Sequence, residues 1–313
     1  MKYSVVIPLY NKGKSIKRTL QAALAQSLQD YEVIVVDDGS TDDSLATVKS
    51  VADPRLRIIE QENQGVSVAR NTGILKASGD FICFLDADDI WYPEYLETID
   101  RLTNAFPESD IFVTAYRVLL EGGKQRFSTR LEPEEGCLSS YWETLSNSYD
   151  FVWTSAAVFR REALMEAGLF LPGEKVGQDL DMWARVAERN PRVAYSAKVC
   201  VDYDRCAESN ARISNKIASS KAFIEDLERQ LDNPERTNAE KCAIQRKYDL
   251  KKTVHIFTSI LAGDKAQARE AMRSWSGWKK TRRGVLLHLG LRCAMICPSF
   301  LCRLAYRIRL KHF

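Results

Sequence analysis

Asp86-Ala87-Asp88 places two carboxylates two residues apart. On an extended strand end, residues i and i+2 point the same way, so both acids converge on one small volume. Like charges that close repel, and the arrangement is stable mainly with a cation beside them. Hard oxygen donors select Mg²⁺ or Mn²⁺, ions that keep positions open for a diphosphate. The bland alternative is an Asp-rich surface turn. The apolar run Phe81-Ile82-Cys83-Phe84-Leu85 directly before the pair favours a strand-end site. Asp37-Asp38-Gly39-Ser40 forms a second acidic group. It reads either as a turn whose Ser40 or Thr41 caps the next helix, or as a carboxylate that accepts bonds from a base imide or a ribose hydroxyl. Lys12-Gly13-Lys14-Ser15 ends like a phosphate-binding loop. The earlier glycine of that motif falls on Pro8, which has no amide to offer, so that reading is rejected.

These groups need strands to aim them. Ser4 to Ile7 reads as a strand. Ser15 is a candidate cap for a helix with the apolar stripe Ile16, Leu20, Leu24 and Leu28. Val33 to Val36 is continuously apolar, as in a parallel strand covered on both faces. Helices are expected over 43–51 and 65–77, and from Pro93 to about Phe106. Further strands are expected over 56–59, 81–85 and 111–118. Residues 119–150 read as loop, 152–160 as extended, 179–189 as a helix stopped by Asn190-Pro191, and 193–203 as the last strand. From about Ser209 the pattern is helical to the end. Strand–helix alternation at this pitch predicts an α/β fold with a mainly parallel sheet, flanked by helices and joined by right-handed crossovers. Ligands in such folds bind at the carboxyl ends of the strands. Three strands here end in Pro8-Leu9-Tyr10-Asn11, Asp37-Asp38-Gly39-Ser40 and Asp86-Ala87-Asp88-Asp89.

Four ordered motifs carry a family resemblance. Val6-Ile7-Pro8-Leu9-Tyr10-Asn11, Val35-Val36-Asp37-Asp38-Gly39-Ser40-Thr41-Asp42, Gly65-Val66-Ser67-Val68-Ala69-Arg70-Asn71 and Phe84-Leu85-Asp86-Ala87-Asp88-Asp89 together resemble family 2 glycosyltransferases with the GT-A fold. The resemblance covers about residues 3 to 205. It implies a catalytic domain over 1–205 and a helical extension over 206–313. Pro8, Tyr10 and Asn11 resemble the first nucleotide-contacting turn. Asp38, with Asp37 beside it, resembles the carboxylate that reads the base. Arg70 matches a basic residue near the donor phosphates. Asp86 and Asp88 match the metal motif, with Asp88 the direct ligand. Gln178-Asp179-Leu180-Asp181-Met182-Trp183 resembles the acidic motif whose aspartate, here Asp179, is the general base. Many members carry Glu where this chain has Gln178.

Those roles have a physical logic. An acceptor hydroxyl is a poor nucleophile, so a carboxylate takes its proton as it attacks. A divalent ion and Arg70 stabilise the charge growing on the leaving diphosphate. Trp183 lies i+4 from Asp179 and shares its helical face, so it either stacks on an acceptor sugar or fills the core. Trp153, Ser155 and Gln178 are also candidates to face the acceptor. The implied reaction moves one sugar, with inversion, from a nucleotide sugar, UDP-linked in preference, to a saccharide or lipid-linked acceptor in surface-glycan synthesis. Neither the Gln-x-x-Arg-Trp motif nor the several membrane spans of processive relatives is found. Residues 119–150 and 170–178 are the expected acceptor loops. The alternatives are a non-catalytic nucleotide-sugar-binding scaffold and a sugar-nucleotide nucleotidyltransferase. The latter class opens with a glycine-rich basic loop, which Pro8-Leu9-Tyr10-Asn11 is not.

Charge is split along the chain. The sequence holds 45 basic and 42 acidic residues, yet no acid follows Glu270. Ten basic residues lie beyond it, which leaves 35 against 42 in the body, a net −7. A basic tail on an acidic body suggests surface binding. Residues 284–302 are apolar apart from His288 and Arg292, but Pro298 interrupts them. That is marginal against the roughly 20 apolar residues a spanning helix needs. A basic amphipathic segment over 279–313 lying on an anionic membrane is the preferred reading, with a packed helical subdomain as its alternative. Nucleic acid is not an expected partner, because no base-stacking pattern accompanies the charge. No signal segment precedes the first strand, so the expected location is cytoplasmic, peripheral on the inner membrane face. The eight scattered cysteines read as reduced and mostly buried, and Cys293 with Cys297 does not make a zinc site.

Overall fold

The computed structural model describes residues 1–128, 134–145, 151–174, 176–204, 221–275 and Leu291. Their strands are β1 (Tyr3–Leu9), β2 (Tyr31–Asp38), β3 (Leu56–Gln61), β4 (Phe81–Phe84), β5 (Ile90–Trp91), β6 (Ile111–Leu119), β7 (Gln125–Phe127), β8 (Glu135–Leu138), β9 (Ala157–Arg160) and β10 (Val193–Asp204). The main sheet order is β3-β2-β1-β4-β9-β6-β10-β5, with β7 on β6 and β8 on β10. The pairings β1–β2, β1–β4, β2–β3 and β6–β10 are parallel. β9 runs antiparallel to both β4 and β6. The six strands β3, β2, β1, β4, β6 and β10 therefore all point one way, and their carboxyl ends share one sheet edge.

Helices are α1 (Gly13–Leu24), α2 (Ser44–Lys49), α3 (Val66–Lys76), α4 (Tyr95–Ala105), α5 (Tyr141–Thr144), α6 (Arg161–Glu166), α7 (Gln178–Arg189), α8 (Lys221–Asp232), α9 (Asn238–Leu261) and α10 (Lys265–Ser274). Every residue of β2 is buried, as a β-branched strand with helices on both faces requires. Alternation splits the core. Val5, Ile7, Val33 and Val35 pack with Ile16 and Leu20 of α1 and with Leu96, Ile99 and Leu102 of α4. Val6, Ile34, Val36 and Phe84 face the other way, toward Ala69 and Ile74 of α3 and Met182 and Trp183 of α7. Phe223 and Leu227 of α8 and Ile244 and Ile256 of α9 join this second core. Gly73 shows how closely α3 lies on β1: a Cβ there would come within 2.3 Å of Val6 Cγ1.

Several local expectations are corrected. Lys12, not Ser15, precedes the first turn of α1, and no side chain caps it. Asp43 holds that position for α2, again without a side-chain cap, so neither Ser40 nor Thr41 caps it. Residues 119–150 are not all loop: β7, β8 and α5 form there, because the edges of β6 and β10 offer pairing partners. Of the described thiols, Cys83 and Cys200 are buried while Cys137 and Cys242 are exposed. Burial thus holds for half of them. Among the described residues no helix is long and apolar enough to cross a membrane. The basic segment 279–313, apart from Leu291, and Cys206, Cys293, Cys297 and Cys302 lie outside the described residues.

Candidate active site

The ends of β1 and β2 are sewn to each other. Leu9 is in register with Asp37 across β1 and β2. Asn11 takes a left-handed conformation (φ 50°); its N–H donates to Ser40 Oγ at 3.1 Å, and its Oδ1 accepts from the Thr41 N–H at 2.8 Å. Asn11 therefore links the two turns. Pro8 is half-buried, whereas Tyr10 is 48% exposed just past β1, its ring open to the same edge.

Asp37 and Asp38 are both 3% exposed, but their oxygens differ. Asp38 Oδ1 accepts from Gln61 Nε2 and the Gln64 N–H at 2.7 and 2.9 Å, and Oδ2 from the Gly65 N–H at 2.8 Å. Asp38 thus anchors the loop that leads into α3. Asp37 Oδ2 accepts from the Ser40 N–H at 3.2 Å, and its buried Oδ1 has no partner. Gly39 adopts φ +73° between them, where a Cβ would also sit 3.0 Å from the Asn63 nitrogen; glycine suits both demands.

The acidic turn after β4 is the most heavily wired part of the site. Arg70, 3% exposed on α3, donates Nη2 to Asp86 Oδ1 at 2.7 Å. Its Nε and Nη1 are buried without partners, and its guanidinium lies 5.4 Å from the Phe170 ring centroid. Lys12 Nζ reaches Asp88 Oδ2 at 2.5 Å. Burial, with Asp86 alongside, raises the Asp88 carboxyl above its usual range despite Lys12. Asp89 is fully enclosed, and burial followed by the charges of Asp88 and Asp86 pushes it well above that range. Ser155 Oγ donates to Asp89 Oδ2 at 2.5 Å and accepts from the Asp86 N–H at 3.1 Å. The Asp204 N–H donates to Asp89 Oδ1 at 3.2 Å. Asp89 therefore clamps the turn to β10 and to the 3-10 turn Thr154–Ala156.

That 3-10 turn also brings in Asp179. Thr154 Oγ1 donates to Asp179 Oδ2 at 3.2 Å, one residue before Ser155 meets Asp86 and Asp89. Consecutive residues span ~3.8 Å between Cα atoms, so the 3-10 turn holds the α7 carboxylate and the β4 turn close together. Asp179 and Gln178 are half-buried at the start of α7, and Gln178 Oε1 has no partner. Asn71, the last residue of its motif, grips the Phe170 backbone with bonds of 2.8 and 2.9 Å, fixing the segment that approaches α7.

A family model described as glycosyl transferase family 2 matches residues 4–168 of the chain. The chain belongs to that family. An uncharacterized glycosyltransferase of Nostoc sp. is 34% identical over 171 residues, 52% of each chain. The amylovoran biosynthesis glycosyltransferase of Erwinia amylovora is 35% identical over 173 residues, 52% of this chain and 57% of that one. The chain thus spans about half the length of these curated relatives. Among solved structures, residues 1–349 of S. aureus TarS in complex with UDP-GlcNAc superpose with a TM-score of 0.69 at 18% identity, over 98% of this chain and 92% of that one. A mannosyltransferase of Pyrobaculum calidifontis in complex with GDP-Man and Mn²⁺ gives 0.59 at 18% identity, over 98% and 86%. Both show the same fold, the GT-A type.

Within this fold, one assignment is overturned. Trp183 is wholly buried, stacked on Phe159 at 4.0 Å and 14°, with Phe84 and Phe170 around it. A ring so enclosed cannot stack on an acceptor; it is core, and each such aromatic pair adds roughly 0.5–1.5 kcal/mol beyond area burial. Trp153 is 8% exposed, lies 4.2 Å from the Tyr203 ring and points Nε1 toward Asp89 Oδ2 at 3.5 Å, so it lines the clamp behind the turn. Lys12 and Thr154 were missed as site residues; their partners lie 76 and 25 residues away, beyond any local signal. As for a divalent ion, the described residues contain no group of three or more His, Cys, Asp or Glu placed to hold one. Asp86 and Asp88 supply two hard oxygen ligands, which fits an ion whose other positions go to phosphate oxygens and water.

Proposed function

We propose that this chain transfers one sugar, with inversion, from a nucleotide-sugar donor to a saccharide or lipid-linked acceptor during surface-glycan synthesis. The observation that carries the reading is Arg70. It is buried, paired to Asp86, and left with two guanidinium nitrogens, Nε and Nη1, unpartnered. Unmet buried donors are costly, and a diphosphate beside them satisfies both with charge-assisted bonds. Tyr10, Asp37 and Asp38 border the nucleoside side of the strand-end edge. Asp88 and Asp86 would hold Mg²⁺ or Mn²⁺, which supplies positive charge to the leaving diphosphate. Asp179 accepts the acceptor's hydroxyl proton as that oxygen attacks the anomeric carbon. The bond to the diphosphate breaks on the opposite face, and no covalent enzyme intermediate forms. The Erwinia relative's role in amylovoran biosynthesis supports a polysaccharide acceptor. The UDP-GlcNAc complex of TarS supports a UDP-linked donor. The excess of basic residues after Glu270 supports contact with an anionic membrane through 279–313.

A thermal-shift screen of nucleoside diphosphates and nucleotide sugars, each with and without Mn²⁺, tests this. A binder present at a hundred times its Kd stabilises the fold by about 2.7 kcal/mol. One donor giving a Mn²⁺-dependent upward shift is the expected result. No shift with any nucleotide contradicts the reading.

A further inference from the structure

Lys12 and Arg70 serve the two acids of the Asp86–Asp88 pair in different ways. Arg70 is 3% exposed and set against Phe170. Lys12 and Asp88 are 16% and 13% exposed in their side chains. The Lys12 backbone is pinned: its N–H donates to Ser44 Oγ at 2.7 Å, and its carbonyl accepts from the Ser15 and Ile16 N–H groups at 2.9 Å each. Only the four-carbon stem is left to move the ammonium, a compact point charge with rotatable donors. Asp88 Oδ2, the atom Lys12 holds, belongs to the residue assigned above as the direct metal ligand. An ammonium and a divalent ion on one carboxylate oxygen repel strongly in a partly buried site.

On the proposed metal-assisted reading, we infer that Lys12 is a built-in competitor for the divalent ion. It holds Asp88 while no nucleotide is present, and it releases Asp88 when a diphosphate arrives to take the ammonium. Ion and nucleotide then bind as a coupled pair, and the ion alone binds weakly. Reciprocal coupling of this kind means each ligand raises the other's affinity by the same factor.

The test is Mn²⁺ binding to the full chain, read from the free-ion electron paramagnetic resonance signal, with and without UDP. The variants are Lys12→Met, Lys12→Gln and Asp88→Asn, each first matched to wild type by circular dichroism. Without UDP, both Lys12 variants should bind Mn²⁺ about tenfold tighter than wild type, a gain of the size one close charge pair makes. UDP should raise wild-type Mn²⁺ affinity at least tenfold and raise that of the Lys12 variants much less. Lys12 variants that bind Mn²⁺ no tighter than wild type without UDP overturn the inference. An Asp88→Asn protein that keeps wild-type Mn²⁺ affinity overturns the metal assignment beneath it, a separate and recognisable failure.

Discussion

Helix α7 carries two aspartates in its first turn, and they live in different worlds. Asp179 is half-buried; its Oδ2 accepts from the Thr154 hydroxyl at 3.2 Å and its Oδ1 from the Leu180 N–H at 2.9 Å. Asp181 is 1% exposed and held by Arg185 through bonds of 2.7 and 3.2 Å to one oxygen. Arg185 is in turn fixed by the carbonyls of Ala167 and Leu169. Asp181 also neighbours Asp226 of α8. Burial, then its hydrogen bond to Asp181, raises the Asp226 carboxyl to about 7. Two residues of spacing on a helix point side chains in different directions. One acid sits beside Thr154 at the strand-end edge; the other, through Arg185, ties α7 to the 167–169 segment. The lesson is that the partner separates chemistry from scaffold. The acid proposed for proton transfer takes one hydroxyl and one backbone N–H, while the braced one is locked by a rigid guanidinium.

Breaking the pocket side should cost activity before stability. Asp88→Ala is expected to lower turnover about 10³-fold or more, measured by nucleotide release, because charge on the leaving diphosphate loses its counterion. Its melting temperature should fall less than that of the brace variant, because the flexible Lys12 stem lets the stranded ammonium reach water. Breaking the brace should do the reverse. Asp181→Asn leaves Arg185 without its charged partner at an 84%-covered site (16% exposed), and should cost about 3 kcal/mol, read by denaturant unfolding, with donor affinity unchanged in the folded protein. An Asp181→Asn protein of wild-type stability contradicts the brace.

The smallest effect is the sharpest on sign. The folded protein holds the Asp226 proton to about 7, against an ordinary value of 3.8. The folded state therefore binds this proton more tightly than the unfolded chain, and the group removes stability as pH rises from about 4 to 7. Asp226→Asn cannot ionise. Relative to wild type it should gain on the order of 1 kcal/mol between pH 5 and pH 8, after allowance for solvent screening. A pH-independent difference contradicts the raised Asp226 carboxyl.

Much of this was readable in the chain because the signals were local. Val33 to Val36 announces a two-faced strand, and an apolar run ahead of Asp86 marks a strand end. Three of the four motifs bring their residues to one edge simply because β1, β2 and β4 are parallel neighbours, and the 65–71 motif reaches it from the start of α3. What escaped was long-range. β5 is two residues long and exists only by pairing with Asp202 and Val201. β7 and β8 owe their form to edges supplied by β6 and β10. Helical spacing put Trp183 on a face near Asp179, but the rings that enclose it come from β4, β9 and the segment before α7. Lys12 looked like part of a failed phosphate loop, and its acid lies 76 residues on.

The central claim is that Asp179 moves the proton while other residues bind the donor. Asp179→Asn, compared with wild type for donor Kd by calorimetry and for transfer on the same preparation, tests it most directly. The account predicts a Kd within about twofold and transfer lower by roughly 10²- to 10⁴-fold, the range for loss of a general base. Transfer at the wild-type rate would contradict it.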